Sequence, residues 1–533
     1  MAEQTRSGIA LKPHYTRADV SCSEAPEAPE APGAYPFTRG RLRPPQASPG
    51  WINRELSGEG DARRSNEQIK YLIGLGQMGV DVIGDSPTQS MIDPDHPLVR
   101  YSVGTQGVSL CHKQDYLDLL RDIPLENNSV SSSVPAVFAL TGLLAVVEDR
   151  GLARDKVRGS VLQAPLYAED CGYSSGMPFT LLNRLAVDTI EFAVEKLPRF
   201  HAYIEDTYFF SESGLNGVEE MALGFVEIRH LTRELIRRGV QVDSFAPRIA
   251  ILVNCGMDFF EEIAKIRATR RFYARMMKEE FKALDPRSWS TVITCHTSGL
   301  TLTAQQTASN IVRGSIQGMA LALAGVQAME ISAFDEAYRT PSDEAHRVAL
   351  RTQQVLQLET GISKVDDPLG GSYYVEALTD QIEQRIASMV AEIEARGDAV
   401  TLAQQGFFRK LFADASQRHY RLVNSGERKV VGANCHRIPA EQDTLLRDIA
   451  EKKIEPWLSR ISEVTAYRKA RHRDGVSRSL RSLQRAAQDK AVNVLPEVFG
   501  ALRAGATAGE MAGAMRLAYD HPYDPWGELR PEF

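Results

Sequence analysis

The chain has 533 residues, 43% hydrophobic and 25% charged, which is ordinary soluble globular composition. Its net charge of −7 and pI near 6.0 leave no electrostatic footprint for nucleic acid. No run reaches the roughly 20 apolar residues of a membrane helix, and the N-terminus lacks a charged-then-apolar signal pattern, so the expected location is the cytoplasm.

Residues 1–50 are poor in core-forming pattern. Glu24-Ala-Pro-Glu-Ala-Pro-Glu-Ala-Pro32 is a short Pro-rich repeat, so an extended arm is expected over 1–50. A compact unit starts near Trp51. Strand-like runs follow at 80–84, 129–134, 160–163, 202–210, 248–254, 291–294, 327–332 and 362–365, with helical patterns between most of them. The clearest helix is 217–238, where Val218, Met221, Phe225, Ile228, Leu231 and Leu235 form one apolar stripe. Asn216 caps its start with Glu219 in a capping box, and Gly239 ends it. Eight strand–helix alternations predict an α/β fold, a (β/α)₈ TIM barrel over 51–378, rather than a doubly wound open sheet. Residues 379–533 read as a mainly helical C-terminal region, with one strong helix at 381–395. A turn-rich segment at 519–526 has the character of a docking tail. The basic stretch 468–485 reads as a solvated helix face.

Six cysteines lie at 22, 111, 171, 255, 295 and 435 without Cys-x-x-Cys spacing, so they read as buried free thiols, not as a disulfide framework or zinc site. No metal site is expected. Gly74-Leu-Gly-Gln-Met-Gly79 matches a dinucleotide pattern, but a helix precedes it and a strand follows, the reverse of the required context, so it reads as a helix stop. Polar residues at the expected strand ends are Asp85, Gln163, Glu212, His296 with Thr297 and Ser298, Gln327, Glu336, and Asp366 with Asp367. In a barrel these would ring the C-terminal mouth, where catalytic groups sit. Asn127-Asn-Ser-Val-Ser-Ser-Ser133 is unusually small and polar for a barrel strand. It is either an edge strand or loop, or the wall of an open axial channel.

Three clusters carry a resemblance: Cys295-His-Thr-Ser-Gly-Leu-Thr-Leu-Thr-Ala-Gln305, Phe334-Asp-Glu-Ala337 and Asp367-Pro-Leu-Gly-Gly-Ser-Tyr-Tyr-Val-Glu376. Tyr35-Pro-Phe-Thr-Arg-Gly40, Phe245-Ala-Pro-Arg248 and Asp258-Phe-Phe-Glu-Glu-Ile-Ala-Lys-Ile-Arg267 add to it. Together they resemble the large, substrate-binding subunit of the adenosylcobalamin-dependent acyl-CoA mutases, over about 35–414. The resemblance implies that Glu212, Gln327, Glu336 and Ala337 contact the cofactor. It implies that Gln163, Tyr208, Tyr173 and His296 act on the substrate, with Leu56, Phe209 and Arg54 in the pocket.

The substrate side departs from the family. After Gly40 the residues that would grip coenzyme A are replaced, and only Trp51 and Arg54 are kept. Tyr173 stands where the methylmalonyl enzyme has its carboxylate-binding Arg, so a free carboxylate on the migrating side has no fixed cation to meet. Phe209 stands where the family has a His that hydrogen-bonds the thioester carbonyl. An Asp typical of 2-hydroxyisobutyryl specificity matches Ile83. The apolar Leu56 fits small branched acyl groups. No Asp-x-His-x-x-Gly cobalamin motif is found, so a separate small cobalamin-binding subunit is expected to bind the cofactor's lower face, in a heterotetramer. The alternatives are a radical mutase on a substrate other than a coenzyme A thioester, and a non-catalytic scaffold paralogue.

Overall fold

A computed structural model describes residues 4–13, 15–20, 30–42, 50–172 and 174–533. Tyr173, Cys22, most of the Pro-rich repeat and residues 43–49 lie outside these. The strands are β1 Ile52–Arg54, β2 Leu56–Ser57, β3 Gly79–Val82, β4 Ser129–Ser132, β5 Gly159–Gln163, β6 Phe200–Asp206, β7 Ile249–Cys255, β8 Val292–Thr297 and β9 Ala328–Glu330. The nine run in the order β1-β9-β8-β7-β6-β5-β4-β3-β2 and form a nearly closed parallel barrel, as the alternation predicts. Parallel neighbours need helical crossovers, which is why the helices interleave.

The eighth predicted strand is corrected. Residues 362–365 form turns, and Val365 is 65% exposed. Gly361 and Asp367 on either side adopt φ of 71° and 45°, which turns the chain too tightly for a ladder. The missing strand is instead at 52–57, broken at Glu55. Its sequence is short and polar and carries no strand-like apolar run. β4 pairs with both β3 and β5, so the serine-rich segment is an interior strand and not an edge.

Compactness divides the chain into two units, Met1–Glu55 with Glu205–Lys452, and Leu56–Ile204 with Lys453–Phe533. In the second unit, Val80, Val82, Val130 and Val161 of the strands pack into one apolar core with Leu143 and Leu483 of the helices. Each such buried side chain stabilises the fold by roughly 1.5–3 kcal/mol. Leu56, Asp81, Ser131 and Ser160 are register partners on the opposite face. Ser131 and Ser160 share a 2.6 Å hydrogen bond there. The small residues of β4 and β5 therefore line the face away from the helices, where bulky aliphatics normally fill a barrel. The tail at 519–526 docks within this same unit, with Asp524 3.1 Å from His96 Nε2 and both side chains buried.

In the first unit, the stripe of helix Gly217–Arg237 is buried as predicted, and Phe225 meets Phe272 of helix Phe259–Arg275 at 4.3 Å between ring centroids. Asn216 Oδ1 accepts from the Val218 and Glu219 amides, and Glu219 returns a bond to the Asn216 amide. Gly74 closes helix Ala62–Gly74, Gly76 turns the chain at φ 97°, and Gly79 opens β3, so the glycine pattern is a helix stop. Among the described cysteines, Cys111, Cys255 and Cys295 are buried free thiols, while Cys171 and Cys435 are partly exposed. None of the described helices is long and apolar enough to cross a membrane.

Candidate active site

The site is built on the ends of β7, β8, β9 and β1 in the first unit. Side chains alternate across a strand. Asn53, Met329, Cys295 and Val253 are register partners. Asn53 reaches Gln357 on helix Asp343–Leu358 at 3.1 Å, so that face looks toward the helices. The next residues along, Arg54, Glu330, His296 and Asn254, are also register partners and face the other way. A row of arginine, glutamate, histidine and asparagine thus replaces the usual apolar filling.

His296 Nε2 lies 3.1 Å from a Glu330 carboxylate oxygen. The Tyr208 ring stands edge-on to His296, at 5.2 Å between centroids. Tyr208 opens the short helix Tyr208–Glu212 just after β6, and its neighbour Phe209 is half-buried. Burial, then the nearby Glu212, push the Tyr208 phenol well above its usual range, so it is a hydrogen-bond donor and acceptor at neutral pH.

Glu212 is held by three donors, one from β7 and two from the turn after β8. Asn254 Nδ2 and Ser298 Oγ donate to Oε1 at 2.7 and 2.6 Å, and the Leu300 amide donates to Oε2 at 2.7 Å. Burial raises its carboxyl, and the Ser298 and Asn254 bonds oppose this. Gly299 leaves the Glu212 carboxylate room at this turn, since a Cβ there would sit 3.1 Å from Oε2. Asn254 is itself fixed from behind. Glu220 Oε1 accepts from its amide at 3.0 Å, and Lys265 Nζ donates to its carbonyl at 2.7 Å. Lys265 is flanked by Glu220 and Glu262 at 2.8 and 2.6 Å. Burial alone would lower its ammonium, and the two carboxylates more than offset that.

Glu336 follows β9, with its Oε2 accepting from the Ala333 amide at 2.9 Å. Burial, reinforced by Glu330, pushes its carboxyl up to about 8, and it is half-buried next to exposed Ala337. A protonated carboxyl there can donate as well as accept.

Two expected site residues stand apart from this group. Gln327 precedes β9, at the N-terminal end of the strands. Its Oε1 accepts from the Ile293 amide at 2.9 Å and its Nε2 donates to Gly325 O at 2.8 Å, so it closes the barrel floor and is remote from the mouth. Gln163, in the second unit, shares the face of Val161, and its amide donates to Ala202 O at 3.2 Å. By alternation Ser160 and Leu162 are the β5 residues on the opposite face. Leu56 falls on that face too, as the partner of Asp81.

Sequence reading missed Glu330, Asn254 and Glu55. The signal for Glu330 was a lone charge inside the strand run Ala328-Met-Glu-Ile. Glu55 faces the helices, where Gln353 Nε2 donates to it at 3.0 Å and His346 Nδ1 lies 3.5 Å away. Burial pushes the Glu55 carboxyl well above its usual range, with Glu330 and Glu336 adding to it, and lowers His346 to about 4. In the second unit Cys111, His112 and Asp115 converge as metal ligands do, but the Arg460 guanidinium bonds Asp115 and lies 3.4 Å from Cys111 Sγ. A cation already serves those groups.

The family model described as methylmalonyl-CoA mutase matches residues 4–521. The chain is 35% identical over 510 residues to the 2-hydroxyisobutanoyl-CoA mutase large subunit of Aquincola tertiaricarbonis, covering 94% of this chain and 89% of that one. It is 32% identical to the methylmalonyl-CoA mutase of Rhizobium meliloti, covering 97% of this chain and 72% of that one. It is 30% identical to the human mitochondrial enzyme, covering 97% and 68%.

Proposed function

Because the chain belongs to the methylmalonyl-CoA mutase family, we propose that it is the large subunit of an adenosylcobalamin-dependent carbon-skeleton mutase. Its substrate is a small acyl group without a free carboxylate, of the isobutyryl- or 2-hydroxyisobutyryl-CoA kind. The observation that carries this reading is the gathering of Tyr208, Glu212, His296, Glu330 and Glu336 at the C-terminal ends of the parallel strands. That is where barrel enzymes do chemistry.

The donor set fits adenosylcobalamin. Glu336 is half-buried beside exposed Ala337, with a carboxyl that can both donate to and accept from ribose hydroxyls. Glu212 keeps both oxygens oriented by three donors. When bound, the cofactor supplies a radical by homolysis of its cobalt–carbon bond. The chain's residues bind, orient and exclude water. With Phe209 in place of the thioester-binding His, His296 takes over that task. Glu330 holds Nε2–H, and the imidazolium form donates from Nδ1 to the carbonyl oxygen. Tyr208 walls the pocket and lends its hydroxyl.

The lower face of the cofactor is bound by a separate small subunit, in a heterotetramer working in the cytoplasm. The separate subunit is supported by the name of one relative, a large subunit. We assign the site to a barrel domain of residues 51–378. A second reading, a mutase acting on something other than a coenzyme A thioester, is favoured by the replaced residues after Gly40 and by Phe209. The test is product analysis with the small subunit, adenosylcobalamin and a panel of acyl-CoA esters. Isomerised isobutyryl- or 3-hydroxybutyryl-CoA supports the first reading. No turnover of any ester, with cofactor bound, supports the second.

A further inference from the structure

The hairpin at residues 4–10 has no part in the chemistry above. Gln4 and Ala10 form an antiparallel bridge, and the Thr5 amide donates to Ile9 O at 2.9 Å. Ile9 is 0% exposed, so the hairpin is packed down. Arg385 of helix Tyr373–Glu394 donates to Ser7 O at 2.7 Å, and the hairpin's other polar contacts reach the segments after β6 and β7. Arg6 Nη2 donates to Leu215 O at 2.6 Å and reaches Ser211 Oγ at 3.5 Å. The Arg6 amide donates to Asp258 Oδ2 at 3.0 Å, in the loop after β7. Ser7 donates through its amide and its hydroxyl to the two Glu261 oxygens, at 3.0 and 2.8 Å. Gly256 leaves room for this, since a Cβ there would lie 3.0 Å from Arg6 Nη1.

We infer that Arg6 is a positioning residue that clamps the short helix Tyr208–Glu212 to the loop after β7. Ser211 is in that helix and Leu215 lies three residues beyond Glu212, so one guanidinium fixes the helix and its exit. A charged donor on a carbonyl makes one of the stronger hydrogen bonds. The Arg6 charge also favours ionised Glu212, against the burial that raises it. Without the clamp, Tyr208 and Glu212 lose their register with His296 and Asn254.

The clamp rests on these contacts, and only the kinetic arm of its test rests on the proposed function. Hydrogen exchange is measured on the full chain as wild type, Arg6→Ala and Arg6→Lys. Peptides over 207–216 exchange about 10-fold faster in Arg6→Ala, while peptides over 328–336 do not change. Arg6→Lys keeps the charge but not the planar donor fork, so it recovers only part of the loss. With small subunit and adenosylcobalamin, KM or cofactor Kd rises about 10-fold in Arg6→Ala. Unchanged protection of 207–216, or an equal loss across the chain, overturns the inference. Lost protection at 207–216 with no turnover by wild type sustains the clamp and counts against the proposed function.

Discussion

His296 and Glu330 stand side by side in register on β8 and β9, with Nε2 3.1 Å from the carboxylate. The pair fixes which imidazole nitrogen faces the site. If His296 serves the carbonyl, His296→Phe lowers kcat by about 100-fold, the loss typical of one oxyanion donor. Cofactor Kd stays within two-fold. Steady-state kinetics with a cofactor titration checks this. Glu330→Gln is milder, because the amide keeps a hydrogen-bond acceptor but not the charge.

Glu336 makes stability depend on pH. Its carboxyl titrates near 8 when folded, against an ordinary 4.5, because of burial and then Glu330; His296 and Glu212 also face it. Below 4.5 both states hold the proton and the group contributes nothing. Between 4.5 and 8 only the folded state holds it, so stability falls as pH rises through that window. Glu336→Gln removes this part of the slope. Thermal melts from pH 5 to 9 decline less steeply in the variant, and parallel curves would refute the assignment.

Lys265 is 1% exposed between Glu220 and Glu262. Lys265→Met leaves two buried carboxylates uncompensated and costs about 3–5 kcal/mol. Denaturant unfolding measures it. Because Lys265 also bonds the Asn254 carbonyl, cofactor affinity falls with it.

Much of this was legible in the sequence, for stated reasons. The stripe and capping box of helix Gly217–Arg237 were readable because spacing and cap are local. The strand at 52–57 was not, because its residues are polar and what makes it a strand is pairing with β9 and β3, far away in sequence. Gln327 looked like a mouth residue because a strand's polar flank reads alike at either end. Only its bonds to Gly325 and Ile293 place it at the floor. The face that Gln163 takes was not legible either, since strand alternation turns a one-residue difference into the opposite face. Glu212 and Glu336 were named by the resemblance and by no pattern of their own, and Asn254 and Lys265 carried no signal because their part is to hold other residues.

Removal of the small subunit tests the split-enzyme reading. Alone, this chain binds adenosylcobalamin at least 100-fold more weakly than with its partner, as expected if the partner supplies most of the binding energy. Tight binding by the isolated chain would contradict it.

The most direct test is electron paramagnetic resonance of the chain mixed anaerobically with its small subunit and adenosylcobalamin. Isobutyryl-CoA and 3-hydroxybutyryl-CoA are then added separately. A substrate-dependent cob(II)alamin–radical signal with one of them is the predicted result. Silence with every ester while cofactor is bound would contradict the acyl-CoA assignment, and silence without cofactor binding would contradict a catalytic role altogether.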